Sequence, residues 1–190
     1  MNVLLIGPPG SGKGTQGQVL ADRLGLRHIA AGDLLRAEVE NGTELGTAAS
    51  EYIERGALVP DELILDLVMP AVVDAARSGG YLLDGFPRTV AQAEQAAVWR
   101  APGQTDEIAP PDAVVVLDAD ADTLVQRVLQ RGRADDSEDV VRHRLEVYEA
   151  ETAPVVAFFQ HRGLLHHVDG TMPVEQVSDA ILAELDVPRA

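Results

Sequence analysis

Two groups of residues could do chemistry in this sequence. The first is Gly7-Pro8-Pro9-Gly10-Ser11-Gly12-Lys13-Gly14-Thr15, a glycine-rich loop with one lysine set into it. Backbone N–H groups gathered in such a loop, with the positive end of a helix dipole behind them, hold an anion such as phosphate. Glycine is needed there because a Cβ would keep the phosphate at a distance and because such loops use positive φ. Lys13 is the only lysine in the chain, and it stands where a compact ammonium would reach the terminal phosphates. The second group is arginine: Arg36, Arg88, and a run of Arg127, Arg131, Arg133, Arg142 and Arg144. Guanidinium forks suit bidentate phosphate recognition. Solvated helix faces alternate in charge sign, so five arginines crowded together in a chain of net charge −16 read as an anion clamp.

The elements that must position these groups follow from pattern. Val3-Leu4-Leu5-Ile6 is apolar throughout, as suits a strand buried on both faces of a parallel sheet, and it runs into the glycine loop. A helix follows over Thr15 to Leu24, then a second strand over Leu26 to Ala30. Asp33 is placed to cap a helix running to about Asn41, and Thr43 to cap a second one from Glu44 to Arg55, stopped by Gly56. Two short helices between strands suggest a small insertion. Apolar spacing from Leu63 to Val73 predicts a long helix starting near Asp61, with Pro70 expected to kink or break it.

Tyr81-Leu82-Leu83 is a short strand ending in Asp84, where proteins with this type of loop keep the acid that orients Mg²⁺ through water. Gly85 would let a ligand approach the backbone, Pro87 stiffens the turn, and Gln92 lies one helical turn beyond Arg88 on the same face. A helix is expected over Thr89 to Arg100, a loop over Ala101 to Pro111, and a fourth strand over Ala113 to Asp118. A helix over Asp122 to Arg131 and another opening at Glu138 flank a short connection. A further helix from Thr152 to Arg162, a fifth strand over Leu164 to Val168, and a helix after Pro173 complete the chain. His166 and His167 point to opposite faces of that strand and cannot chelate one metal.

Composition narrows the function classes. With 190 residues and 46% apolar content the chain can bury a sizeable core as one α/β domain. No cysteine is present, which excludes disulfides and thiolate zinc sites. The acidic balance argues against nucleic acid as a partner. Met1 leads straight into a strand, and no apolar run approaches 18 residues, so a cytoplasmic protein without membrane association is expected.

The variant loop Gly12-Lys13-Gly14-Thr15 departs from the common pattern, in which Ser or Thr directly follows the lysine. It resembles the loop of nucleoside monophosphate kinases. Nearly the whole chain is similar to the adenylate kinase family: His28 to Arg36, Gly56 to Asp61, Asp84-Gly85-Phe86-Pro87-Arg88, Gln92, Arg133-Ala134-Asp135-Asp136 and Val168-Asp169-Gly170-Thr171 occur in its order. The resemblance implies an α/β P-loop three-layer fold with a five-stranded parallel sheet. Residues 1–29, 60–126 and 138–190 would form the core, 30–59 a small helical acceptor-binding insertion, and 127–137 a short lid.

The same resemblance implies transfer of a phosphoryl group from Mg²⁺·ATP to AMP by a monomer with no zinc. It places the ATP phosphates on Gly10, Ser11, Gly12, Lys13, Gly14 and Thr15, adds Arg127 and Arg131 to the donor site, and sets the donor adenine near Met172. The acceptor phosphate falls to Arg36 and Arg88, with Arg133 and Arg144 closing on the phosphates. Ala31, Ala57, Leu58, Val59, Gly85, Phe86, Pro87 and Gln92 surround the acceptor. Catalytic roles go to Lys13, Arg88, Arg131, Arg133 and Arg144. Mg²⁺ would be held by nucleotide and water, with Asp84 and Thr15 in its outer shell.

Ala31 departs from the threonine usual in adenylate kinases and resembles the UMP/CMP kinases, whereas Gln92 follows the adenylate pattern. One lost neutral hydrogen bond is worth about 1 kcal/mol, while a site built around a base's own donors and acceptors discriminates by ~10⁴. Gln92 therefore outweighs Ala31, and AMP is the expected acceptor. A nucleotide-dependent switch would need no acceptor arginines, and a shikimate or gluconate kinase-like enzyme would have no purpose for Gln92.

Overall fold

The computed structural model describes residues 1–99, 110–133 and 135–186. Its centre is a five-stranded, wholly parallel sheet in the order β2-β3-β1-β4-β5, made of β1 (Asn2–Ile6), β2 (Arg27–Ala30), β3 (Tyr81–Asp84), β4 (Ala113–Asp118) and β5 (Leu165–Asp169). Alternation along each strand divides the core between two faces. Leu4, Ile6, Leu83, Val114 and Val116 pack on one side, against α4 (Asp61–Arg77) and α8 (Ala153–Gln160). Val3, Leu5, Leu82, Val115 and Leu117 pack on the other, against α1 (Lys13–Leu24) and α9 (Val174–Glu184). Period-two side-chain placement thus turns continuous apolar strands into the middle of three layers.

β1 lies between β3 and β4, so the chain passes to one side of it for β2 and β3 and to the other for β4 and β5. Where strand order reverses, a crevice opens beyond the carboxyl ends of the strands. Register sets what borders it: Asp84 pairs with Leu5 on one side and with Ala30 on the other. The loop after β1, the acid ending β3 and the start of α2 (Ala31–Glu40) therefore emerge side by side.

The expected elements are present among the described residues; besides ends shifted by one or two residues, three local differences stand out. Helix α2 starts directly from β2 at Ala31, so Asp33 lies inside its first turn and does not cap it; its carboxylate faces the helix dipole and pairs with Arg36. Helix α4 runs unbroken through Pro70, which sits on the exposed face, where water can satisfy the carbonyl that loses its partner. Helix α7 (Glu138–Val147) reaches α8 without a break, through a π-helical turn at Tyr148–Thr152. β5 begins and ends one residue later than expected, at Leu165 and Asp169. Thr43 does cap α3 (Glu44–Arg55), accepting from the Gly46 N–H at 3.0 Å, and Gly56 ends that helix with φ 72°. The remaining helices are α5 (Val90–Val98) and α6 (Ala121–Arg131). Arg100, most of the loop expected over 101–111, and Ala134 lie outside the described residues.

Candidate active site

The glycine loop carries β1 into α1 and forms the floor of a cleft of about 760 Å³, within the usual size range of a ligand site. Gly12 takes φ 99° at the N-terminus of α1, a conformation that a Cβ would strain. At Gly10, where φ is 87°, a Cβ would lie 2.6 Å from the Leu124 carbonyl oxygen. The loop therefore closes against α6 only because Gly10 lacks a side chain.

Lys13 Nζ donates to the carbonyls of Gly7 at 2.7 Å and Pro8 at 3.0 Å, folding the ammonium back over the loop. Burial in the cleft pushes its pKa from 10.5 down to about 8, Asp84 opposes that, and Arg88 and Arg131 add to the lowering. A bound polyphosphate would supply the negative charge that this ammonium lacks.

The arginines converge on the same cleft from separate elements. Arg36 comes from α2, Arg88 from the turn after β3, Arg127 and Arg131 from α6, Arg133 from the connection that follows, and Arg144 from α7; all six line it. Arg88 is exposed into the cleft, and its Nε donates to the Gly85 carbonyl at 2.8 Å. Desolvation lowers its pKa, Asp84 resists, and the charges of Arg144 and Arg36 lower it further. The Arg127 guanidinium donates to the carbonyls of Gly170 at 2.6 Å and Thr171 at 3.2 Å.

Carboxylates hold several of these forks in place. The Asp136 side chain is fully buried and accepts from Arg131 at 2.8 and 3.0 Å, from the Arg133 N–H at 3.1 Å and from Arg144 at 3.3 Å. Burial raises its pKa, but the hydrogen bond and charge of Arg131 and the Arg133 N–H prevail, so the carboxyl stays below its ordinary value. Asp135 pairs with Arg144, and Asp33 with both Arg36 and, at 3.4 Å, Arg133. Arg142 is the exception: it pairs with Glu138 one turn away on a solvated face and does not border the cleft. The clamp read from five clustered arginines is therefore built from four of them.

Every other residue singled out for the site borders the cleft except one. Phe86 is 2% exposed and packs into the core beneath the Gly85–Arg88 turn, so it supports the turn and does not face a ligand. Gln92, also buried, accepts from the Arg88 N–H at 2.7 Å through Oε1 and donates through Nε2 to Asp61 at 2.7 Å. Thr89, capping α5, accepts from the Gln92 N–H. One amide proton of Gln92 remains for a ligand.

Several lining residues had no site role in the sequence reading: Gln16, His28, Asp135 and Tyr148, and Asp33, which was read only as a helix cap. Asp135 stood within a motif noticed for its arginine, and Gln16 directly follows Thr15, but neither pattern reveals a partner distant in sequence. Burial, with Glu149 and Asp118 nearby, pushes the Tyr148 hydroxyl up to about 12. Among the described residues, Ser11 Oγ and His28 Nε2 are buried without a hydrogen-bond partner.

Among the described residues no group of three or more histidine or carboxylate side chains could hold a metal ion. Asp84 does stand beside the loop, its Oδ2 3.7 Å from where a Gly14 Cβ would be. That donor set fits a hard cation bound mainly by ligand oxygens and water.

The family model described as Adenylate kinase matches residues 5–164. An adenylate kinase from Synechococcus sp. (strain CC9902) is 46% identical over 184 residues, covering 97% of this chain and 98% of its own. Those from Kocuria rhizophila and Thermobifida fusca are 45% and 42% identical over 189 residues, each covering 97% of this chain and 98% of their own. Similarity of that extent, over the elements that build the cleft, means that the chain belongs to the adenylate kinase family.

Proposed function

We propose that the cleft transfers the terminal phosphoryl group of ATP to AMP, reversibly, giving two ADP. The observation that carries this reading is that one cavity is bordered by the phosphate loop on one side and by Arg36, Arg88 and Gln92 on the other. Two anionic substrates can therefore meet in it.

In the transfer, the bond from the γ-phosphorus to the β,γ-bridging oxygen breaks as an AMP phosphate oxygen bonds to that phosphorus. The electron pair leaves with ADP. The attacking oxygen is already anionic, so no side chain need act as a base. Lys13, the loop N–H groups and the arginines Arg88, Arg131, Arg133 and Arg144 would stabilise charge on the moving group, by positioning and electrostatics. Asp84 and Thr15 would order the water around a Mg²⁺ bound with ATP, which would supply neutralisation of phosphate charge. Arg127 and Met172 would flank the donor, and Ala31, Arg36, Ala57, Leu58, Val59, Gly85, Pro87 and Gln92 the acceptor.

Residues 30–59 and 127–137 would move against the core of 1–29, 60–126 and 138–190, excluding water that would otherwise hydrolyse ATP. The protein would act as a monomer. No helix among the described residues is long and apolar enough to cross a membrane.

Phosphoryl transfer from Mg²⁺·ATP to AMP, UMP, CMP and GMP, measured in parallel with a control lacking acceptor, tests the assignment. Fast ADP formation with AMP alone is expected. Preference for UMP or CMP would show that Ala31 governs the acceptor and would overturn the choice of AMP.

A further inference from the structure

We infer that Gln16 is a positioning residue for the donor nucleotide, its buried amide fixing the Met172–Val174 wall of the cleft to the helix that carries the phosphate loop. This rests on the assignment of ATP to that side of the cleft. Gln16 lies in the first turn of α1, where its N–H closes on the Gly12 carbonyl at 2.9 Å. Its side chain crosses to the start of α9: Nε2 donates to the Val174 carbonyl at 2.9 Å, and Oε1 accepts from Ser178 Oγ at 2.6 Å. Gln16 is 3% exposed and Ser178 fully buried.

The chemistry allows only one arrangement. A carbonyl oxygen can only accept, so the NH₂ end of the amide must face Val174, and Oε1 is left facing Ser178. The Ser178 hydroxyl has one proton. Its contact with the Val174 carbonyl, at 3.0 Å, is the longer of the two available, so Gln16 takes the proton.

Gln16, Met172 and Val174 all border the cleft. Arg127 grips the same segment two residues earlier, at Gly170 and Thr171. The wall is thus tied at one end to α6 and at the other to α1. A base and ribose pressed against it would depend on the amide, whereas phosphates held by the loop would not.

Calorimetric titration in the presence of Mg²⁺ tests this, with ATP and inorganic tripolyphosphate as the two probes, on the wild type, Gln16→Met and Ser178→Ala. Gln16→Met keeps the length of the side chain and removes its donors. It should weaken ATP about tenfold, the scale of one lost hydrogen bond at a positioned wall, with tripolyphosphate changed by less than about twofold. Ser178→Ala removes one of the two hydrogen bonds that hold the amide, leaving the one to Val174, and should weaken ATP alone, by roughly threefold. This second variant keeps the inference testable should Gln16→Met fail to fold. Equal weakening of both probes would mean that Gln16 merely supports the loop, and no weakening of ATP would mean no role at all; either overturns the inference. Failure of the wild type to bind ATP would instead overturn the assignment on which it rests.

Discussion

Replacing Lys13 with methionine should make the ligand-free protein more stable at neutral pH while removing its activity. Burial of the ammonium in the cleft, with smaller contributions from Arg88 and Arg131, lowers its pKa from 10.5 to about 8 even with Asp84 nearby. That gap, at ~1.4 kcal/mol for each pH unit, amounts to ~3 kcal/mol of destabilisation in the charged form. Methionine has similar length and no charge. Loss of the hydrogen bonds to Gly7 and Pro8 offsets part of the gain, at ~1 kcal/mol each, leaving a net stabilisation of ~1 kcal/mol at pH 7.

The dependence on pH is the sharper test. A lysine with a depressed folded pKa is more readily protonated in the unfolded chain. Between about pH 8 and 10.5 the unfolded state therefore binds the extra proton, and stability rises with pH. From pH 7 to pH 10 the wild type should gain roughly 2–3 kcal/mol relative to Lys13→Met, reversing their order. Tyr81 and Tyr148, raised to about 12 by burial, are common to both proteins and cancel in the difference. Urea unfolding followed by circular dichroism at intervals from pH 7 to 10 gives the two curves. Parallel curves would refute the reasoning, because they would mean that Lys13 titrates alike folded and unfolded. Turnover of the variant should fall at least ~100-fold, as for loss of a charge-stabilising donor.

Other outcomes follow from the same geometry. Arg88→Ala should lower turnover at least ~100-fold in a coupled ADP assay, whereas Arg142→Ala, on the solvated face of α7, should leave it within about twofold. Asp136→Asn leaves Arg131 and Arg144 without their buried carboxylate and should cost about 3–5 kcal/mol in urea unfolding at pH 7. Because the folded pKa values of Asp135 and Asp136 are depressed, the stability they contribute is present above the unfolded value and is lost as pH falls through the folded one. Acid unfolding of the wild type below about pH 4 should therefore be less steep in Asp136→Asn.

Local signals made much of this molecule legible from its sequence. Continuous apolar runs marked β1, β3 and β4, and Thr43 and Gly56 bracketed α3 because capping chemistry acts within a few residues. The phosphate loop was recognisable because its function needs fixed residue types at fixed spacing. What pattern could not supply was partnership at a distance. Asp33 looked like a cap, since nothing local shows that β2 passes directly into a helix or that Arg133 lies within reach. Phe86 shared a motif with neighbours that border the cleft, yet its own side chain turns inward and anchors the turn in the core. Arg142 and Arg144, two apart on one helix, must face different ways, but only the packing of α7 shows which of them meets the cleft.

The crowding of cations in one cleft of a strongly acidic molecule also bears on how substrates arrive. Lys13 and six arginines border the cleft, yet the chain as a whole carries a formal charge of −16. A nucleotide that comes within about a Debye length of the surface, about 8 Å at physiological ionic strength, meets net repulsion. Only at the mouth does the local field turn attractive. Added salt screens the distant repulsion before it reaches the sheltered cations, so moderate ionic strength speeds encounter, in the opposite sense to a site steered by the charge of its whole protein.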